Sequence, residues 1–96
     1  MDHYFMVKEI YINERGLISE RLFETAFEVR DMAVKYMHEK IDERVDACNR
    51  YYSFRSNGKV YEVKNKGPYE AYAKTVPETI ETIKMTIAPI RIVRAE

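Results

Sequence analysis

The sequence predicts an α+β domain in which one long amphipathic helix packs on a mostly antiparallel sheet, in the order β-α-β-β-β-β. Three observations carry this. Residues 20–48 hold an apolar stripe at helical spacing and contain no Gly or Pro. Asn57-Gly58 offers the two positive-φ residues of a tight hairpin turn, between segments that alternate apolar with polar. Segments 3–13, 69–75 and 79–93 are rich in β-branched and aromatic residues and are bounded by Gly, Pro and Asn. A chain of 96 residues holds one core of this kind, so residues 1–96 are expected to form a single domain.

The first strand reads HYFMVKEIYIN and closes on Asn13, Glu14, Arg15 and Gly16, a turn. Its alternation puts Phe5, Val7 and Tyr11 on one face and Met6, Ile10 and Ile12 on the other. Both faces are therefore apolar, which predicts a strand covered on two sides or lying in an interface.

The helix is predicted to begin at Glu20, with Ser19 as N-cap and Ile18 packing on Phe23 as a staple. Its stripe runs through Leu22, Phe23, Ala26, Phe27, Val29, Ala33, Met37, Ile41 and Val45 to Cys48. Such a helix is roughly 43 Å long, about twice a seven-residue strand. Either the helix bends around a curved sheet, or the stretch carrying Met37, Ile41, Val45 and Cys48 overhangs it and finds cover from a second subunit.

Residues 51–64 read as a hairpin that pairs Arg55 with Val60, Phe54 with Tyr61 and Tyr52 with Val63. Residues 69–75 follow as a strand, with a short helix as the competing reading because of Ala71 and Ala73. The last strand alternates Ile83, Met85 and Ile87 until Pro89, which predicts a bulge or a break because it cannot donate to a ladder. A strand, a long helix and a meander of strands together resemble the cystatin-like arrangement, a likeness of topology. The glutamine-valine-glycine loop with which cystatins block cysteine proteases has no counterpart in Arg55-Ser56-Asn57-Gly58, so protease inhibition does not carry over.

Sixteen basic and sixteen acidic residues cancel, which argues against a protein that coats nucleic acid or an anionic membrane. The balance is uneven: residues 1–49 hold eleven acids against seven bases, and residues 50–96 hold nine bases against five acids. Cys48 is the only cysteine, so no internal disulfide forms and a reducing, cytoplasmic setting is expected. No apolar run reaches the ~18 residues of a membrane span, and residues 1–12 lack a signal-peptide pattern.

Catalytic chemistry finds no foothold. Ser19 is accounted for as a cap, His3 and His38 lack a nucleophile context, and the three glycines are isolated. His38 and Asp42 stand four apart on a helix, which supplies two metal ligands and no more, so neither an enzyme nor a metal or other cofactor is expected.

Binding surfaces are better represented. Glu20, Glu24, Glu28, Asp31, Glu39, Asp42 and Asp46 fall within about 100° of the predicted helix, an acidic ridge interrupted by Lys35. It is either a solvated face or a dock for a basic partner. Arg30 falls in the apolar stripe, which predicts that it snorkels to the domain edge or pairs with an acid such as Glu9 or Glu62, with an anionic-ligand pocket built with Tyr36 as the alternative. Arg55, Lys59, Lys64 and Lys66 surround the predicted hairpin beside Tyr51, Tyr52, Phe54 and Tyr61, a combination that suits single-stranded nucleic acid. The leading expectation is a small protein-binding regulator or inhibitor that acts by macromolecular contact as a homodimer, the character of many phage and mobile-element accessory proteins. Nucleic-acid binding through the hairpin and anion binding at Arg30 are the alternatives.

Overall fold

The computed structural model describes residues 3–55 and 60–91, except the side chains of 52–55. Its elements are β1 His3–Ile12, β2 Ile18–Phe27, α1 Arg30–Arg55, β3 Val60–Lys66, β4 Glu70–Val76 and β5 Thr82–Arg91. The five strands form one antiparallel sheet in the order β2-β1-β5-β4-β3, with α1 on one face. The expected class is α+β and so is the structure. The order is β-β-α-β-β-β, so two strands precede the helix where the cystatin-like arrangement expects one.

The extra strand is the largest correction. Residues 18–27 pair along β1 and do not begin the helix. Asn13 builds the connecting turn: its side-chain oxygen accepts from the backbone N–H of Arg15 and Leu17, and its carbonyl accepts from Gly16, at φ +79°. A bulge then displaces the register, so that Met6 faces Ala26 while Lys8 faces Leu22. Ile18, Leu22 and Ala26 therefore share one face, and Phe23 and Phe27 lie toward the helix. Both sets are spaced by four, the spacing of a helix, which is why the strand mimics one.

A helix that joins β2 to β3 must cross the whole sheet, because those strands are its opposite edges. This explains its 26 residues, roughly 39 Å. Ala33, Met37 and Ile41 are fully buried, and Val45 and Cys48 pack against the same core of Val7, Ile83, Met85, Ala71 and Ala73. The predicted overhang at Met37 to Cys48 is thus covered within the chain, and the helix continues past Cys48 to Arg55.

The predicted hairpin does not form either. Residues 51–55 are helical, so they cannot pair with Val60 to Val63, whose partners lie on β4. The Asn57-Gly58 turn lies outside the described residues. The strand at 69–75 is β4, which resolves the helix alternative. Pro89 neither bulges nor breaks β5, which stays in register with β1 through Arg91. Pairing with β4 stops at Thr86, so on that side no strand asks Pro89 for a donor.

Candidate functional site

The sheet has two unlike faces. Under α1 lie Val7, Glu9 and Tyr11 of β1, in register with Ile87, Met85 and Ile83 of β5. The opposite face presents Tyr4, Met6, Lys8, Ile10 and Ile12 of β1 opposite Ile90, Ala88, Thr86, Lys84 and Thr82 of β5. Ala26, Leu22, Glu20 and Ile18 of β2 extend these rows on one side, and Tyr72 and Lys74 of β4 on the other. No element of the described residues covers this face, and none of these side chains is buried; Ile18 and Leu22 are 64% and 45% exposed. An antiparallel sheet with one solvated face ordinarily turns polar residues outward, whereas here Met6, Ile10, Ile12, Ile18, Leu22 and Ile90 point there.

Two of the lysines on the open face are matched by acids and a third lies on an aromatic ring. Lys8 reaches Glu20 at 3.4 Å and Lys84 reaches Glu70 at 3.0 Å, while Lys74 lies 5.4 Å over the Tyr72 ring. A hollow of about 260 Å³ opens there between Ile12, Tyr72 and Lys84.

Beneath the second half of α1 lies a polar cluster inside the fold. Glu9, 5% exposed, accepts from Arg44 Nε at 2.7 Å and Arg21 Nε at 3.0 Å. Tyr11 donates to Glu81, and burial together with that carboxylate pushes the Tyr11 hydroxyl up to about 12. Burial also pushes the Cys48 thiol up, against the pull of Arg44. Thr75 anchors the β4–β5 turn, its hydroxyl donating to Glu78 O and accepting from the N–H of Ile80 and Glu81. These groups hold one another beneath the helix.

The residues singled out from the sequence are redistributed. Glu20 and Glu24 stand on β2 and Glu28 precedes the helix, so the acidic ridge does not exist as one helix face. Asp31, Glu39, Asp42 and Asp46 remain on α1, with Asp42 met by Lys66 and Asp46 by Arg50. Arg30 is not in the apolar core: it donates to the Pro68 carbonyl and lies 4.9 Å over the Tyr69 ring. Tyr36 is on the other flank of α1, packed on Phe23 and Phe27, so the two do not form one pocket. Glu9 pairs with Arg21 and Arg44 in place of Arg30, and Glu62 pairs with Lys64.

Residues from different predicted surfaces meet instead. A groove of 490 Å³ along α1 gathers Arg30, Lys35 and Lys66 with Asp31, Glu39 and Asp42 around His38, so both signs are in balance. His38 bonds the Gly67 carbonyl at 2.8 Å, a structural contact to the β3–β4 turn. The basic hairpin is dispersed: Arg55 ends the helix, Lys64 and Lys66 are in ion pairs on β3, and Lys59 lies outside the described residues. Sequence reasoning missed Arg21 and Arg44. The signal for them was Glu9, an acid between Val7 and Tyr11 on the inward face of a strand, which demands cations.

Among the described residues, no three metal-binding side chains gather into a site, and no helix is long and apolar enough to cross a membrane. Comparison of the chain with protein-family models, with curated proteins and with solved structures returns no match.

Proposed function

We propose that the chain is a protein-contact module that works as a homodimer, two copies stacking the open faces of their sheets. The observation that carries this reading is the apolar set on that face: Met6, Ile10, Ile12, Ile18, Leu22 and Ile90, with no covering element of the described residues. The size of the face supports it. Three ten-residue strands rise roughly 33 Å and two seven-residue strands roughly 23 Å, and five strands span roughly 19 Å, giving on the order of 550 Å² in projection, about two thirds of the ~800 Å² each partner commits to a stable interface.

The charge pattern favours a second copy as the occupant. Lys8 with Glu20 and Lys84 with Glu70 neutralise each other and Lys74 rests on the Tyr72 ring, so little unpaired charge stands against the approach of a second copy. Stacking leaves both helices outward, with Asp31 and Glu39 on surfaces available to a regulatory target.

Light scattering after size exclusion tests this. The wild type is expected to run as a dimer at micromolar concentration, and Ile10→Asp as a monomer with unchanged far-ultraviolet circular dichroism. A wild type that stays monomeric at ~100 µM, or a dimer indifferent to Ile10→Asp, defeats the proposal.

A further inference from the structure

Between β2 and α1, on the flank away from the open face, runs a groove of 430 Å³ lined by Arg21, Phe23, Lys40, Glu43, Arg44 and Arg50, with Ala47 on its wall. Four cations in so short a cleft repel one another, and the structure holds two of them by an unusual device. The carboxylate of Glu9, almost wholly withdrawn from water, takes the Nε–H of Arg21 on one oxygen and the Nε–H of Arg44 on the other. Burying that carboxylate costs several kcal/mol before its partners compensate. What it secures is the orientation of two guanidinium groups.

Each guanidinium is gripped by its inner nitrogen, which leaves the outer amino groups to the groove. Among the described residues, the two terminal nitrogens of Arg21 have no acceptor, and those of Arg44 have only Cys48 Sγ, at 3.8 Å from one of them. Arg21 is further fixed by the Phe23 ring, 4.9 Å beneath its Cζ, and Lys40 reaches over Phe23 and Tyr36 while bonding Glu43 at 3.0 Å. Among the described residues, the lining of the groove sets Arg21, Lys40, Arg44 and Arg50 against Glu43, with Glu9 and Asp46 pairing from beside it.

We infer that this groove binds the phosphate group of a small phosphorylated ligand, with Arg21 and Arg44 supplying paired forks and Lys40 a point charge. Planar forks with fixed donors match tetrahedral oxyanions, which accept two parallel bonds from each. The volume is that of a small-molecule site and not of a channel for a polymer backbone. Among the described residues, the outer amino groups of Arg21 and the one of Arg44 that does not meet Cys48 have no acceptor, and these are the donors such a ligand completes.

Titration of the full chain with inorganic phosphate and pyrophosphate, followed by calorimetry and by the Nε–H resonances of arginine, tests the assignment. The expected result is saturable binding that moves two Nε–H signals, raises the melting temperature above that in chloride of equal ionic strength, and weakens about tenfold in Arg21→Gln. Arg21 is 58% exposed, so that variant is expected to fold, and Arg44→Lys, which keeps charge but loses the fork, is expected to weaken binding as well. Arg15→Gln in the exposed β1–β2 turn serves as the control and is expected to bind as the wild type does. The inference is overturned if neither anion binds up to ~10 mM, if Arg21→Gln binds like the wild type, or if Arg15→Gln loses as much. It is equally overturned if a single-stranded oligonucleotide binds with a steep salt dependence while pyrophosphate does not, which would make the groove part of a nucleic-acid surface.

Discussion

At the scale of single residues, the second half of α1 is tied down by two side chains whose roles are opposite in kind. Asn49 bonds both backbone groups of Tyr61, accepting its N–H at 2.6 Å and donating to its carbonyl at 3.0 Å. Thr75 turns its own N–H toward Glu81, so Tyr61's backbone groups face the outer edge of β3, where Asn49 takes the place of a further strand. Asn49→Ala is expected to lower stability by about 1–3 kcal/mol in urea unfolding, because it strands two half-buried groups. Glu9 instead compensates charge. Glu9→Gln is expected to cost on the order of 2 kcal/mol, less than for a fully buried pair because Arg21 and Arg44 are partly solvated. Tyr11 gives a pH signature: its hydroxyl ionises in the unfolded chain near 10.0 and in the fold near about 12. The unfolded state therefore binds fewer protons across that interval, and the stability Tyr11 contributes is full below 10.0 and lost as pH rises through 12. Unfolding curves of Tyr11→Phe against the wild type are expected to diverge less above pH 10.0 than below it.

At the scale of elements, what the sequence disclosed depended on whether the pattern was local. The alternation of β1 correctly assigned Phe5, Val7 and Tyr11 to one face and Met6, Ile10 and Ile12 to the other, because period two survives any partner. β4 and β5 were legible for the same reason. β2 was not: its bulge opposite Val7 writes a four-residue spacing into Ile18, Leu22 and Ala26, and Ser19 imitates a cap. Pairing over ten residues with β1 overrides that local signal, and the helix starts at Arg30. The groove was less legible still, since Glu9 meets cations twelve and thirty-five residues away, a convergence only topology produces. The β1–β2 turn offers a direct check. A Cβ at Gly16 meets nothing within 4 Å, so Gly16→Ala is expected to cost only what its +79° φ imposes, about 1 kcal/mol by thermal unfolding.

At the scale of the molecule, covering only one face of the sheet leaves a second apolar layer that no element of the described residues covers. The helix that would supply a second layer is already used in crossing from β2 to β3. A two-layer stack of helix and sheet becomes a four-layer stack when two open faces meet, and strand-rich faces pack about 10 Å apart in this way. The most direct test is an isotope-filtered nuclear Overhauser experiment on an equal mixture of labelled and unlabelled protein. Intermolecular contacts from the methyl groups of Met6, Ile10, Ile12 and Ile90 are the expected result. The absence of any such contact at millimolar protein, or contacts confined to the exposed Met32 and Val29 near the start of the helix, would contradict it.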